Sequence, residues 1–235
     1  MNLNSKIVVI TGASDGIGKQ IALRLAKDGV QLALIARDEK RLEEVCQQSK
    51  QLGALNAKYY VCDIRQTDKL ENVVSSIIAD LGNIDILINN AGIWQKLMPV
   101  EKIKKDIINE VIETNLTALI QLTRICLPTL KTREESAIIN IISKSGVIAQ
   151  EGQSVYSASK YGVQGFTEVL KKDLKDSNVR VAGIYQGGTN TKMFEKSGDN
   201  PPIEKFTNPS DLADVISYML SLPKKIWIHD IRVDR

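Results

Sequence analysis

The sequence has a single histidine, His229, among its 235 residues. One imidazole excludes metal sites that need two histidines, and it excludes the HExxH helix of metalloproteases. It also leaves a hydrolase of the Ser-His-Asp type with only one candidate base. We therefore expect no metal site in this protein.

Cysteine is scarce as well: Cys46, Cys62 and Cys126 are odd in number and widely spaced, and no Cys-x-x-Cys pair occurs. This pattern supports neither a zinc knuckle nor a disulfide framework. Reduced, buried cysteines in a cytoplasmic protein are the expectation.

Long apolar runs are missing, and so is a concentration of charge. No stretch approaches the ~20 apolar residues that cross a membrane, and the short apolar run behind Lys6 is below the ~7–15-residue core of a signal peptide. The 31 basic and 28 acidic residues are mixed along the chain and leave a net charge of +3. The cluster of Lys102, Lys104 and Lys105 is read as a solvated helix entry. We expect a cytoplasmic protein with no nucleic-acid partner and no membrane partner.

The sequence does contain a regular alternation of short β-branched runs and longer segments with helical spacing. The runs predict strands at residues 7–11, 31–36, 57–62, 84–89, 137–143, 179–185 and 226–233. The segments between them predict helices at residues 16–28, 39–52, 67–81, 106–131, 156–175 and 209–220.

Near-continuous apolar strands that alternate with helices are typical of a parallel sheet covered on both faces. Because βαβ crossovers are right-handed, the pattern predicts an α/β doubly wound Rossmann fold with a seven-stranded parallel sheet. No linker or repeat divides the chain, so we expect a single domain over residues 1–235. Residues 187–208 are the least regular stretch and predict a mobile loop.

The first predicted strand runs into a glycine-rich turn, Thr11-Gly-Ala-Ser-Asp-Gly-Ile-Gly18, and a helix follows. Glycines allow a tight turn and the close approach of a phosphate, whose charge the free N–H groups of the helix start can bind. The spacing is Gly-x3-Gly-x-Gly rather than GxGxxG. The turn predicts a nucleotide-binding loop formed by Thr11, Gly12, Ser14, Asp15, Gly16, Ile17 and Gly18.

The same residues also spell the G-x-S-x-G nucleophile elbow of α/β-hydrolases, with Ser14 as the nucleophile and His229 as the base. An elbow normally follows several strands and an earlier loop that supplies the oxyanion hole. Only ten residues precede Thr11, so the hydrolase is the less favoured interpretation.

The chain resembles the compact, single-domain branch of the short-chain dehydrogenase/reductase family over essentially its whole length. The glycine-rich turn looks like the family's cofactor loop, and the motifs Cys62-Asp-Ile64 and Asn89-Asn-Ala-Gly92 stand in the family's order. Four residues fall where the family has its catalytic group: Asn115, Ser143, Tyr156 and Lys160. The resemblance further implies cofactor contacts from Asp63, Ile64, Asn90, Ala91, Gly92, Tyr156, Lys160, Gly187, Thr189 and Thr191.

The chemistry of such a group follows from its residue types. A tyrosine has an ordinary pKa near ~10, which is high for a base at neutral pH. Lys160 lies on the same helix face as Tyr156, and its charge should lower the pKa of that tyrosine. Tyr156 could then exchange a proton with an alcohol or a carbonyl, while Ser143 hydrogen-bonds the substrate oxygen. The resemblance implies that Lys160 also holds the nicotinamide ribose and that Asn115 bends its helix to hold a water in a proton relay.

Two positions depart from the family's pattern. Lys144 follows Ser143 where relatives often have a second serine, which leaves Ser145 as a competing candidate. Gln186 precedes Gly187 where a proline is usual, which loosens the backbone of that loop.

The cofactor preference is predicted from the end of the second strand. An acidic residue there would bind the ribose hydroxyl of NAD, but the chain has Ala36 followed by Arg37. A guanidinium pairs well with a phosphate and favours NADP(H) over NAD(H). Asp15 and Asp38 add negative charge nearby and argue in the other direction.

The expected substrate is a small carbonyl or alcohol compound bound above the carboxyl ends of the strands. Its apolar lining is predicted from Trp94, Met98, Val147, Met193 and Phe194. The helices at 106–131 and 156–175 form the main dimer contact in the family, so the resemblance implies a homodimer or homotetramer. A non-catalytic NADP-binding sensor of the same fold is the alternative, although such proteins commonly lose the Tyr/Lys pair. An extended sugar-nucleotide epimerase is disfavoured by the chain length.

Overall fold

Seven parallel strands form one sheet in the order β3-β2-β1-β4-β5-β6-β7. The computed structural model describes residues 1–234, and Arg235, the last residue of the expected domain, lies outside the described residues. The strands are β1 (Ile7–Thr11), β2 (Gln31–Ala36), β3 (Asn56–Val61), β4 (Ile86–Asn89), β5 (Ser136–Ile141), β6 (Val179–Gln186) and β7 (Asp230–Val233).

Helices connect these strands and cover both faces of the sheet. They are α1 (Gly16–Ala26), α2 (Glu39–Gln51), α3 (Thr67–Leu81), α4 (Lys105–Ile112), α5 (Ala118–Lys131), α6 (Ser154–Asp173), α7 (Met193–Lys196) and α8 (Pro209–Ser221). Alternate residues of a strand point to opposite faces. Val8 and Ile10 accordingly pack in the cluster that holds α1, α2 and α8. Val9 packs in the cluster that holds α3, α5 and the end of α6. The predicted doubly wound Rossmann fold is confirmed.

The strand order places a topological switch between β1 and β4, since the chain winds from β1 outward to β3 and then returns to β4. Ligands of doubly wound folds bind at such a point, outside the carboxyl ends of the strands. The glycine-rich turn follows β1, and the motif Asn89-Asn-Ala-Gly92 follows β4.

The predicted helix at 106–131 is interrupted. A π-helical segment, Glu113–Thr117, separates α4 from α5. Asn115 lies in this segment, and its side chain bonds with the backbone of Ile93 on another part of the chain. The periodicity of the apolar residues runs through both helices, so it does not reveal the break.

Three strand limits differ from the predicted ones by two residues or more. Strand β4 begins at Ile86 rather than residue 84, because the Asp85 carboxylate accepts the Ile7 N–H and the Ile84 N–H goes to the Thr129 hydroxyl. Strand β5 ends at Ile141, so Ser143 lies beyond the strand.

Strand β7 begins at Asp230 rather than residue 226. The residues just before β7 include a turn in which the Ile226 N–H donates to the Pro223 carbonyl. The indole N–H of Trp227 then donates to the Val181 carbonyl of β6. No helix within residues 1–234 is both long and apolar enough to cross a membrane.

Candidate active site

A deep cleft opens at the carboxyl ends of the strands, at the switch between β1 and β4. Its volume is about 1410 Å³, which exceeds the ~300–1,000 Å³ of pockets for drug-sized ligands. The cleft therefore has room for a dinucleotide and a second small molecule. Most of the predicted site residues line it: Gly12, Ser14, Asp15, Gly16, Ile17, Arg37, Asp63, Ile64, Asn90, Ala91, Gly92, Ser143, Tyr156, Lys160, Gly187, Thr189 and Thr191.

Three predicted residues, Thr11, Gly18 and Asn115, do not line the cleft but support its wall. The Thr11 hydroxyl accepts the N–H groups of Asn90 and Ala91, both at 3.0 Å, and so ties the end of β1 to the segment after β4. A Cβ at Gly18 would lie only 2.5 Å from Asn90 Nδ2, so this contact needs glycine.

The glycine-rich turn fits a phosphate-bearing group. Gly12 and Gly16 have φ angles of +64° and +54°, which glycine adopts readily. Gly16 and Ile17 begin α1 and line the cleft, so a helix start lies at its wall, where the Asp15 side chain accepts the Gly16 N–H at 2.8 Å. Such a start attracts negative charge.

The acidic residues near the end of β2 are neutralised by neighbours that sequence reasoning missed. Asp15 pairs with Arg41 at 3.3 Å and with Lys196 at 3.2 Å, and Asp38 also pairs with Arg41. Arg37 is exposed and makes no salt bridge within residues 1–234. The negative charge that argued against a phosphate at this end of the cleft is therefore largely compensated.

Asp63 stands just beyond β3 and is held by Arg65. Hydrogen bonds from the Arg65 guanidinium keep the pKa of Asp63 below its usual range. Asp63 is thus an ionised acceptor at the wall of the cleft, beside Cys62 and Ile64.

Tyr156 and Lys160 lie one turn apart on α6, and both are almost fully buried, with 5% and 4% of their surface exposed. The Lys160 ammonium donates to the Ile141 carbonyl at 3.0 Å and lies 5.8 Å from the centre of the Tyr156 ring. Ser143 lies close enough to the Tyr156 side chain to favour its ionised form and so to lower its pKa. The structure brings these three polar side chains together in the cleft.

Burial sets the protonation of this group. It raises the pKa of Tyr156 to about 12, although the nearby Ser143 acts in the opposite direction. Burial lowers the pKa of Lys160 to about 8. The expectation that Tyr156 has a lowered pKa is therefore wrong as far as the protein's own groups are concerned, because desolvation by burial is the largest effect and raises that pKa.

Ser143, rather than Ser145, faces Tyr156. Ser143 has a φ of +150°, in a region that is nearly exclusive to glycine and that is often found strained at functional sites. Its hydroxyl accepts the Ser145 N–H at 3.1 Å, while the Ser145 hydroxyl donates to Gln153 at 2.7 Å. Ser145, the competing candidate, therefore belongs to a neighbouring hydrogen-bond network with Gln153.

Asn115 braces the strip of chain that follows Gly92. Its Oδ1 accepts the Ile93 N–H at 2.8 Å, and its Nδ2 donates to the Ile93 carbonyl and to the Ser159 hydroxyl. Ser159 lies on α6 between Tyr156 and Lys160. The π-helical segment thus connects the wall of the cleft to the helix that carries both residues.

An aromatic cluster covers the outer part of the cleft. The indole of Trp94 meets the Tyr156 ring edge-on with centroids 4.6 Å apart, and Phe194 meets Trp94 at 5.2 Å. The indole N–H also donates to Asp199 at 2.9 Å. Residues 187–208, expected to be a mobile loop, contain the short helix α7. This segment contacts Trp94 through Phe194 and Asp199.

Four of the five expected apolar lining residues face the cleft: Trp94, Met98, Met193 and Phe194. The expectation for Val147 is wrong. It packs with Leu119, Ile142, Val163 and Tyr185 behind the cleft. The apolar character of a side chain does not show whether it lines the cleft or packs in the core behind it.

The residue that replaces the usual proline, Gln186, ends β6 and also lines the cleft. Its backbone pairs with Val233 of β7. Its Oε1 is buried without a hydrogen-bond partner among residues 1–234. No three His, Cys, Asp or Glu side chains within that range converge as metal ligands.

Comparison with protein families and known proteins gives consistent matches. A family model described as short chain dehydrogenase matches residues 6–202. The chain is 30% identical to the 3-oxoacyl-[acyl-carrier-protein] reductase FabG of Thermotoga maritima, over 94% of this chain and 92% of that protein. It is 35% identical to the nodulation protein G of Azospirillum brasilense, over 93% of this chain and 92% of that protein.

Two solved structures are similar over nearly the whole length. An alcohol dehydrogenase from Thermococcus sibiricus, complexed with 5-hydroxy-NADP, has a TM-score of 0.90 and 26% identity and covers 98% of this chain and 96% of its own. A serine dehydrogenase complexed with NADP+ has a TM-score of 0.88 and 31% identity and covers 97% and 94%.

Proposed function

The chain belongs to the short-chain dehydrogenase/reductase family, and on that premise we propose that it is an NADP(H)-dependent oxidoreductase. It would move a hydride between the nicotinamide and the carbon of a carbonyl or alcohol substrate, with Tyr156 as the general acid or base. The observation that carries the proposal is the burial of Tyr156, Ser143 and Lys160 side by side in the cleft at the switch point.

When bound, the dinucleotide supplies the hydride in one direction and accepts it in the other. The glycine-rich turn and the start of α1 would hold its pyrophosphate. Asp63 and Ile64 would contact its adenosine, and Asn90, Ala91 and Gly92, which also line the cleft, would contact the part between adenosine and nicotinamide. Tyr156 and Lys160 would hold the nicotinamide ribose, while Gly187, Thr189 and Thr191 would contact the nicotinamide amide.

The chain's own residues perform the proton chemistry. The Ser143 hydroxyl would donate a hydrogen bond to the substrate oxygen and orient it. The Tyr156 hydroxyl would donate its proton to that oxygen as the carbonyl becomes an alcohol. Lys160 would stabilise the tyrosinate left behind, because an opposite charge favours the ionised form.

The raised pKa of Tyr156 suits the acid role that carbonyl reduction requires. A pKa of about 12 keeps the hydroxyl protonated and ready to act as an acid. Alcohol oxidation needs the tyrosinate, which the buried site disfavours unless another positive charge, such as that of an oxidised nicotinamide, is present.

The preference for NADP(H) is supported by the exposed guanidinium of Arg37 beyond β2, which makes no salt bridge within residues 1–234, and by the pairing of Asp15 and Asp38 with Arg41 and Lys196. A phosphate on the adenosine ribose would meet Arg37 without facing an uncompensated carboxylate. Both solved structures described above carry NADP or its analogue.

The cleft suits a small, largely apolar substrate next to Tyr156, since Trp94, Met98, Met193 and Phe194 surround that position. Exposed apolar side chains on α4 and α6, namely Ile107, Tyr161 and Val169, support self-association as a homodimer or homotetramer. A non-catalytic sensor is not favoured, because the Tyr/Lys pair is present and buried.

The test is transfer of deuterium, from NADPH that carries deuterium at both positions of the nicotinamide C4, to a panel of aldehydes, ketones and 3-oxoacyl thioesters, with quinone reduction followed separately as NADPH oxidation. Mass spectrometry of the product is expected to show one deuterium on the new alcohol carbon for at least one class. Tight NADPH binding with no labelled product across the panel and no NADPH oxidation by quinones would instead support the sensor.

A further inference from the structure

Gln95, three residues beyond Gly92, is a buried polar side chain that the mechanism above does not use. Only 1% of its surface is exposed. Burying an amide is costly unless its donors and acceptor find partners. An apolar side chain of similar size would fill the same space without that requirement.

Two of the three partners of Gln95 lie at the start of α6 or just before it, and the third is the carbonyl of its chain neighbour Lys96. Its Nε2 donates to the carbonyls of Gly152 at 3.0 Å and Lys96 at 2.6 Å. Its Oε1 accepts the backbone N–H of Tyr156, with the two atoms 3.4 Å apart. One amide thus joins the segment after β4 to the turn before α6 and to Tyr156 itself.

The bond to Tyr156 satisfies a helix start. Tyr156 is the third residue of α6, and the first N–H groups of any helix lack a partner within the helix. Gln153, the residue just before α6, provides no side-chain cap. Gln95 supplies this cap from a distant part of the chain.

The neighbours of Gln95 in the chain also contact the turn before α6 and Tyr156. The Met98 N–H donates to the Gly152 carbonyl at 3.2 Å, and Gly152 has a φ of +75°. Trp94 packs edge-on against the Tyr156 ring. Consecutive residues, Trp94 and Gln95, therefore contact the ring and the backbone of Tyr156.

We propose that Gln95 is a positioning residue that fixes the start of α6 and thereby the location of the Tyr156 hydroxyl relative to Ser143 and the substrate. The inference rests on the proposed function, since it assigns Gln95 a part in the same proton transfer. A displacement of about 1 Å in a reacting group can lower a rate by ~10²-fold. Loss of the amide should therefore lower kcat by roughly 10- to 100-fold. The KM and Kd for NADPH should change far less, because Tyr156 makes only one of the proposed cofactor contacts and the glycine-rich turn is untouched.

Two substitutions test this. Gln95→Met keeps much of the volume and removes all three hydrogen bonds. Gln95→Glu keeps the acceptor for Tyr156 N–H, and only its protonated form retains a donor for Gly152. The ionised form would turn a negative charge toward two carbonyl oxygens. The kcat of Gln95→Glu relative to wild type should accordingly rise as the pH falls, while that of Gln95→Met should stay low at every pH.

Thr129→Val is the matched control for general destabilisation. It also removes side-chain hydrogen bonds, with the Ile84 N–H and the Asn83 side chain. These lie just before β4, at the amino ends of the strands and away from the cleft. Its kcat should equal that of wild type even if its melting temperature falls. NADPH binding by each variant, followed by fluorescence, shows that the cleft is folded.

The wild-type protein is assayed first with the carbonyl that it reduces best. A wild type that binds NADPH but reduces nothing overturns the proposed function. If wild type turns over and Gln95→Met keeps a kcat within twofold of it, only the positioning role is overturned. A Gln95→Glu variant as slow as Gln95→Met at low pH also overturns it, since the loss would then not follow the hydrogen bonds.

Discussion

Replacing Lys160 with methionine should make the protein more stable while it removes activity. Lys160 is 4% exposed, and its ammonium donates one hydrogen bond, to the Ile141 carbonyl, with no salt bridge within the described residues. Burial lowers its pKa from 10.5 to about 8. The folded state therefore disfavours the charged form, and folding at neutral pH carries that penalty.

The magnitude follows from the pKa difference. At ~1.4 kcal/mol per pH unit, the penalty at pH 7 is on the order of 3 kcal/mol. Methionine avoids it but leaves the Ile141 carbonyl without its partner, a loss of about 1 kcal/mol. The net gain of about 2 kcal/mol should raise the melting temperature by roughly 4–8 °C in a chain of this size.

The pH dependence identifies the cause. Below about pH 8 the lysine is protonated in both states, so the wild type bears the full penalty. Between about pH 8 and 10.5 the folded state releases its proton while the unfolded state keeps it, so wild-type stability rises with pH. The advantage of Lys160→Met should therefore shrink over this interval.

Thermal unfolding followed by circular dichroism from pH 6 to 10.5 measures both effects. Lys160→Arg is the control, because it retains a charge that cannot be released and should give no gain at any pH. A methionine variant that is less stable than wild type at pH 7, or an advantage that stays constant up to pH 10.5, would refute the reasoning.

Three further predictions concern the cofactor, the serine pair and assembly. Arg37→Ala should weaken NADPH binding by roughly 1–3 kcal/mol, the scale of a charged hydrogen bond, and leave NADH binding little changed in titrations followed by fluorescence; equal losses for both cofactors would defeat the assignment. Ser143→Ala should lower kcat by roughly 10²–10³-fold, as loss of a donor to a developing oxyanion does, whereas Ser145→Ala should lower kcat far less. Equal losses for the two variants would contradict the assignment of Ser143 as the donor. Light scattering at micromolar concentration should give the mass of a homodimer or homotetramer, and a monomer would contradict this.

The seven strands, their parallel doubly wound arrangement and the positions of most site residues could be predicted from the sequence, because local signals mark them. A β-branched run marks each strand, and the turn Thr11–Gly18 and the motif around Asn90 follow directly after strands. In a parallel sheet the carboxyl ends of neighbouring strands meet at one edge, so these motifs converge. The extent of a single domain over the whole chain stays a prediction.

Contacts between distant residues could not be predicted in the same way. Gln95 caps a helix residue 61 positions later, and Lys196 neutralises Asp15 across 181 positions. Neither pairing leaves a periodic pattern. The π-helical segment around Asn115 was hidden because the apolar periodicity continues through it.

Burial depends on the complete fold, and it reversed one chemical expectation. The spacing of Tyr156 and Lys160 placed them on one helix face, which suggested that the cation would lower the pKa of the tyrosine. Both side chains are so deeply buried that desolvation dominates the pKa of each. Helical spacing can place two residues on one helix face, but it does not give the polarity of their surroundings.

Substitution of Tyr156 by phenylalanine tests the central claim most directly, since it removes one oxygen from the cleft. Single-turnover reduction of the best carbonyl substrate and the affinity for NADPH are measured for both proteins. The proton transfer assigned to Tyr156 predicts a rate that is lower by roughly 10²–10⁴-fold with nearly unchanged NADPH affinity. A rate within a few-fold of wild type would contradict the assignment and move the proton donor to another group.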